Sequence, residues 1–456
     1  MRMKRAIYEE LLSWKEASRR KPLILRGARQ VGKSYILSEF GSNEFPAFHH
    51  FDFEKDGRDL IPLFDGSLSP EKLIQNLAIF QGRPIAETDL IIFDEIQSCP
   101  RALTSLKYFC EEAPHQPICA AGSLLGVAVS EGSYPVGKVG YLDLYPMSFE
   151  EFLLNSGQDL LMEAFGSSWD EKDVSSVVHA KLWETLKQYY VVGGMPEAVS
   201  VFFQYGDRIA EGLLAVRKTQ AALLNSFLLD FTKHSGVVNA AHIAAVFEDV
   251  PRQLSGYVDA SVKRYRFKDV LPGKRGFVQL EGPIGWLEKA GLLYKVPVCQ
   301  RAELPLDSFC KANLFKLFVF DTGLLGCMLE LSPGALMTQE YGIIKGFFAE
   351  NFVANEFMHS GERKLFSWME RNSEIEFLLN CEDELIPVEV KAGVRTKAQS
   401  LRQYFLKYEP RHAVKISGKP LTKNTAPVIN IPLYYSGRLA QPGSLRKFIT
   451  GQGGIL

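Results

Sequence analysis

The chain has 456 residues, 46% of them hydrophobic and 23% charged, with a formal net charge of −1. That length exceeds one ordinary core and implies two or three domains. Near-neutrality excludes a molecule that binds polyanions over its whole surface, so any nucleic-acid contact must be local.

The seven cysteines, Cys99, Cys110, Cys119, Cys299, Cys310, Cys327 and Cys381, form no CxxC pair. Their scatter argues against a disulfide framework or a zinc ribbon and for a reducing compartment. Met1-Arg2-Met3-Lys4-Arg5 lacks the apolar core of a signal peptide. The longest apolar stretch, Leu314 to Leu329, is broken by Lys316 and Asp321, so no membrane span is expected and the expected location is the cytoplasm.

Residues 5–20 read as an amphipathic helix, with Ile7, Leu11, Leu12 and Trp14 on one side. Pro22-Leu23-Ile24-Leu25 is an apolar strand, Gly27-Ala28-Arg29-Gln30-Val31-Gly32-Lys33-Ser34 a glycine-bearing turn, and Tyr35 to Phe40 the start of a helix. Strand, turn and helix in that order match the phosphate-binding loop at every fixed position. The physics is direct: main-chain N–H groups curl around a polyphosphate, and the helix adds the positive end of its dipole. Lys33 is expected to neutralise the β- and γ-phosphates of ATP, and the Ser34 hydroxyl to hold Mg²⁺. Gly27 and Gly32 leave room for the curve.

Ala47 to Phe53 reads as a strand and Pro70 to Ile79 as a helix. Leu90-Ile91-Ile92-Phe93 reads as a central strand buried on both faces, and Asp94-Glu95 ends it where open α/β sheets bind ligands. Asp94 is expected to hold Mg²⁺ through water, and Glu95 to orient and deprotonate the attacking water. Pro117 to Ala121 forms a further strand ending at Gly122-Ser123. Ser123 is placed there either to sense the γ-phosphate or simply to turn the chain. After a glycine-rich loop over 124–140, Tyr141 to Pro146 is the last strand of a parallel sheet with crossover helices.

Arg26 to Ser34, Ile92-Phe93-Asp94-Glu95-Ile96-Gln97 and Leu144-Tyr145-Pro146-Met147-Ser148-Phe149-Glu150-Glu151-Phe152 together resemble the bacterial and archaeal AAA-type ATPases that carry a C-terminal domain of unknown function. Gly193-Gly194-Met195-Pro196-Glu197-Ala198 resembles that family's lid motif and the Gly-x-Pro element of STAND switch ATPases, which implies that Pro196 contacts nucleotide. The resemblance also implies that the helical pattern from Phe149 to about Phe231 is a lid. Relatives often carry Gly-Arg before the Leu-Tyr-Pro strand, where this chain has Gly137-Lys138. A lysine lacks the bidentate fork, which puts stimulation of a neighbouring subunit's site in doubt.

Over 235–330, the pattern is a short helix (Ala240 to Phe247), a turn (Pro251 to Ser255), a second helix (Phe277 to Ala290) and a hairpin built from Leu292 to Val296 and Leu314 to Val319. That order suggests a winged-helix module. Lys263, Arg264, Arg266, Lys268, Lys274 and Arg275 cluster in its turns, either as a solvated loop or as a phosphate-contacting surface.

Phe347 to Glu356 reads as a helix, followed by strands at Lys364 to Trp368, Ile375 to Leu379 and Ile386 to Lys391. Glu389 and Lys391 share a strand face, and Glu376 can join them. Two carboxylates for a divalent metal and a lysine for the attacking water suit phosphodiester cleavage; cross-strand ion pairing suits the same residues. With Glu350 on the preceding helix, the set resembles the PD-(D/E)xK restriction-endonuclease-like core, although Glu376 stands where an Asp is usual.

The expected architecture is therefore α/β: a P-loop AAA-type domain (1–150), a helical lid (151–234), a winged-helix-like segment (235–335) and a nuclease-like domain (336–456). The expected function is an ATP-binding and ATP-hydrolysing switch that controls a DNA-associated C-terminal half. An ATP-gated metal-dependent nuclease, or an ATPase that binds a protein partner or itself without nucleic acid, remain open as alternatives.

Overall fold

Strands β1 (Leu23–Arg26), β2 (Phe48–Asp52), β3 (Leu90–Asp94), β4 (Ile118–Gly122) and β5 (Gly140–Asp143) form a parallel sheet in the order β2-β3-β4-β1-β5. They belong to a computed structural model that describes residues 3–123, 135–256, 264–337, 344–361, 364–371, 373–381, 384–393, 399–423 and 427–450. The described chain forms two compact units: Arg2–Tyr145 with Lys289–Gly291, and Pro146–Glu288 with Leu292–Leu456.

In the first unit every residue of β3 and β4 is buried, as expected for central parallel strands covered on both faces. Ile24, Phe51, Ile91, Phe93, Ile118 and Ala120 join Leu73, Leu77, Leu106 and Phe109 in one core cluster, so the helices Pro70–Gln81 and Pro100–Glu112 lie over that face. Strand residues of the opposite parity, Leu25, Ile92 and Cys119, are equally buried. The helix Lys33–Glu44 packs against β2, β3 and β4 with Ile36, Leu37 and Phe40 inward. The parallel order puts the C-terminal ends of β1, β3 and β4 side by side, and all the chemistry expected of this unit sits there.

The second unit begins with helices. Ser148 caps the first, Phe149–Leu154: its side chain accepts from Glu151 N while the Glu151 carboxylate accepts from Ser148 N. The Ser-Phe-Glu-Glu run is thus a capping box, in which each of two orphan N–H groups donates to the other residue's side chain. Glu356 closes the same end by accepting from Phe149 N at 2.9 Å, and Arg438 pairs with Glu150 at 2.6 Å.

A seven-stranded mixed sheet follows, built from β6 (Leu293–Cys299), β7 (Cys310–Val319), β8 (Phe366–Glu370), β9 (Ser373–Cys381), β10 (Glu384–Val390), β11 (Ala413–Ser417) and β12 (Val428–Pro432). Its order is β12-β11-β10-β9-β8-β6-β7. The β6–β7 hairpin expected as a wing does not stand free. Strand β6 pairs in parallel with β8 (Val298 with Ser367, Cys299 with Trp368), which makes the hairpin the edge of the larger sheet. Its apolar content explains this, because Val296, Val298 and Phe318 are completely buried.

One expected turn is helix instead. Pro251 lies inside the helix Val237–Ser255, which runs past the expected end at Phe247. Proline removes one ladder hydrogen bond, and the buried side chains of Val250 and Leu254 offset that cost by packing on either side of it. The helix expected over Phe277 to Ala290 is also less regular, a 3₁₀ turn at Phe277–Gln279 preceding a shorter helix, Glu281–Lys289.

Candidate nucleotide site and a second charged cluster

The loop after β1 is shaped by three residues with positive φ: Gly27 (151°), Gln30 (64°) and Gly32 (96°). At Gly27 the requirement is also steric, since a Cβ there would stand 2.1 Å from the Leu144 carbonyl oxygen. Arg5, which sequence reasoning passed over, fixes the outer wall: it donates to Val31 O at 3.1 Å and Tyr145 O at 2.7 Å. Ala28 and Val31 are buried, and Arg29 pairs with Glu54 at 3.2 Å.

Lys33 is the first residue of the helix and is itself buried. Its ammonium donates to the carbonyls of Gly27 (3.1 Å) and Ala28 (2.7 Å). Burial pushes its pKa down to about 8 even though Glu95 and Asp94 pull it upward. A desolvated cation held by two neutral carbonyls is ready to exchange them for phosphate oxygens.

Ser34 and Asp94 meet directly, hydroxyl to carboxylate. Asp94 also accepts from Glu95 N at 3.0 Å, and His50 Nε2 lies 3.1 Å from its Oδ2. Burial raises the Asp94 pKa, but the hydrogen bonds from His50 and Ser34 outweigh it and leave the carboxyl below its ordinary value. The same bond raises His50 above the usual histidine value. An ionised carboxylate against a serine hydroxyl is a hard-oxygen pair of the kind Mg²⁺ takes in such loops, so the residues present fit that ion.

Glu95 adopts left-handed backbone (φ 48°), which turns its side chain off the strand axis at the sheet edge. Gln97 donates to Glu95 Oε2 at 2.5 Å, and Ser123 Oγ lies 3.5 Å from the same oxygen. Lys33, Ser34, Asp94, Glu95 and Ser123 are therefore gathered, with His50 and Gln97 as additional partners. No pattern in the sequence marks His50, because which strands flank β3 is a tertiary fact. Gln97 was closer to hand, two residues past Glu95 on a 3₁₀ turn.

Lys138 pairs with Glu111 at 2.9 Å within the same unit. Pro196 lies in the second unit, where it opens the helix Pro196–Gln204. The glycines before it answer to local packing. A Cβ on Gly194 would stand 2.1 Å from Met147 O, and one on Gly193 would stand 2.3 Å from Asp321 Oδ1. Gly194 N donates to Asp321 Oδ2 at 2.6 Å, and Met147 N to Gly194 O at 2.7 Å.

Of the basic residues at 263–275, Lys263 lies outside the described residues. Arg264, Arg266, Lys268 and Arg275 are exposed, while Lys274 stands 3.3 Å from His242.

The C-terminal charged residues also converge. Lys391 Nζ lies 3.4 Å from both Glu376 Oε1 and Glu389 Oε1, and Glu376 Oε2 accepts from Val390 N at 3.2 Å. Glu350 joins through a residue the sequence pattern did not single out: Lys316 on β7, whose Nζ contacts Glu350 at 3.5 Å and also Glu374 of β9. Burial lowers the Lys316 pKa, but Glu374, Glu350 and Glu376 more than compensate and keep the ammonium charged. Burial raises Glu389. Among the described residues, no group of three or more His, Cys, Asp or Glu is arranged to hold a metal ion.

Comparison with known families matches residues 19–153 to an AAA domain. Residues 183–335 match a domain of unknown function (DUF8612), and residues 345–434 match a second one (DUF4143). No curated protein matches. Among solved structures, the chain is similar to Aeropyrum pernix ORC1 in complex with DNA, with 10% identity over 71% of this chain and 90% of that one and a TM-score of 0.26. It is similar to the Thermotoga maritima RuvB Holliday junction branch migration motor at 15% identity, 72% and 96% coverage and a TM-score of 0.28. Drosophila ORC bound to DNA gives 16% identity, 71% and 94% coverage and a TM-score of 0.22. No described helix is long and apolar enough to cross a membrane.

Proposed function

We propose that this chain, an AAA-type P-loop ATPase with C-terminal domains of unknown function, binds and hydrolyses ATP and uses the bound state to control a DNA-associated C-terminal half. The observation that carries the first part is the direct contact of Ser34 with Asp94 beside the buried Lys33 ammonium. Those three groups supply the phosphate charge partner and the two oxygen donors that a nucleotide–metal complex requires.

Bound Mg²⁺ would be held by Ser34 and Asp94 and would neutralise phosphate charge. Lys33 would exchange the Gly27 and Ala28 carbonyls for phosphate oxygens, and the loop N–H groups would take up the remaining lone pairs. Glu95, released from Gln97, would orient the attacking water and accept its proton. Ser123, 3.5 Å from Glu95, would register whether the terminal phosphate is there.

The DNA-associated part of the reading is supported by the exposed Arg264, Arg266, Lys268 and Arg275 on an otherwise near-neutral protein. Salt titration of duplex DNA binding, with and without a non-hydrolysable ATP analogue, tests both parts. Steep salt dependence that changes with the analogue is the expected result. Binding of a protein partner that is flat in salt, with no DNA binding, would favour the protein-partner ATPase instead.

A further inference from the structure

In the second unit, three strands and one helix bring Glu350, Glu374, Glu376 and Glu389 together with Lys316 and with Lys391, the residue after β10. The carboxylates and Lys391 match a metal-dependent phosphodiesterase in residue type. Lys316 does not belong to that pattern. It comes from β7, the hairpin strand at the far edge of the sheet order, and its side chain is completely buried. We propose that the Lys316 ammonium stands where such a site would hold its divalent cation, so that the cluster is a closed ion network and the C-terminal domain engages its partner without cutting phosphodiesters.

Three observations carry this. First, a buried ammonium persists only where carboxylates compensate it, and Lys316 takes Glu350 and Glu374 for that purpose. Glu350 is then committed to an internal cation. Second, the two carboxylates closest to the expected pair of ligands are themselves bridged: Lys391 sits 3.4 Å from each of Glu376 and Glu389. The other Glu376 oxygen accepts from Val390 N. Lys415, in register with Glu389 on the neighbouring parallel strand, adds a third cation. Third, Glu350, Glu376 and Glu389 are only 2%, 3% and 1% exposed. A magnesium ion that keeps several of its waters needs more room than that.

The network also explains why the hairpin belongs to this sheet. Lys316 ties β7 to β9 and to the helix Ile344–His359, across an edge that the β6–β8 pairing alone joins by only two residue pairs.

The test uses the full chain without nucleotide, titrated with Mn²⁺ and followed by electron paramagnetic resonance and by thermal unfolding. Wild type and Glu376→Gln are expected to take up the same amount of Mn²⁺ up to about 1 mM, with no unfolding shift that depends on Glu376. Lys316→Met leaves Glu350 and Glu374 without their cation, and is expected to gain a Mn²⁺ site at least ~10-fold tighter than any in wild type, with its unfolding temperature raised by the ion. If Lys316→Met does not fold, the comparison of wild type with Glu376→Gln still decides. One Mn²⁺ per wild-type chain that disappears in Glu376→Gln would overturn the proposal. So would a folded Lys316→Met indifferent to Mn²⁺, or metal-dependent nicking of DNA by wild type that is lost in Lys391→Ala.

Discussion

His50 Nε2 and Asp94 Oδ2 lie 3.1 Å apart, which places a titratable cation on the carboxylate proposed to serve Mg²⁺. Asp94 raises the His50 pKa, so the pair's stabilising contribution is complete below about pH 6.5 and is lost as pH rises through the folded-state value. Protonated His50 competes with Mg²⁺ for Asp94. Mg·ATP affinity measured by calorimetry is therefore expected to rise between about pH 6 and pH 8 and to flatten in His50→Asn. A wild-type affinity that does not change over that window would remove His50 from the site.

Gln97 donates to the Glu95 carboxylate. Glu95→Gln is expected to keep ATP binding and lose ~10²–10⁴-fold in kcat. Gln97→Ala removes a restraint that Glu95 must otherwise break, so kcat should rise at nearly constant KM. A fall in both variants alike would mean that Gln97 positions Glu95 for reaction.

Gly194 shows how the lid motif answers to packing. Its absent Cβ would meet Met147 O at 2.1 Å, and both atoms are main chain or anchored to it. Gly194→Ala should cost ~3 kcal/mol or more and lower the unfolding temperature by several degrees. Gly282→Ala, in the helix Glu281–Lys289 with nothing within 4 Å, is the control and should be neutral or stabilising.

Glu356 is buried, and burial raises its pKa to about 8 although Phe149 N donates to it. Its folded value lies above the unfolded one, so the native state binds the extra proton between about 4.5 and 8. Stability falls as pH rises across that window. Glu356→Gln keeps a neutral acceptor for Phe149 N. It should match wild type within ~1 kcal/mol near pH 5, and should become increasingly the more stable protein as pH rises from there towards 8. Parallel stability curves for the two proteins would show that Glu356 does not titrate in this range.

Much of the first unit was legible because its signals are local. The glycines of the loop, the four apolar residues before Asp94 and the helix after Ser34 each report their own backbone. Partners that arrive from elsewhere in the fold were not legible: Arg5 on Val31, His50 on Asp94, Lys316 on Glu350. Their positions depend on strand order, which periodicity does not encode. The edge hairpin illustrates the same limit. Leu292 to Val296 and Leu314 to Val319 read as a hairpin, but only the pairing with β8 shows that they complete a larger sheet. Pro251 was misleading for another reason, since tertiary burial of Val250 and Leu254 overrode a local breaker.

The proposed ATP site depends on Lys33 and the loop around it gripping a triphosphate. Lys33→Ala removes a charged donor worth about 3 kcal/mol to a phosphate, so affinity should fall by ~100-fold or more. The deciding measurement is ATP binding together with phosphate release for wild type and Lys33→Ala, side by side at the same Mg²⁺ concentration. Both are expected to be lost in Lys33→Ala while its fold, by circular dichroism, is kept. A folded Lys33→Ala protein that still hydrolyses ATP at the wild-type rate would contradict the proposed site.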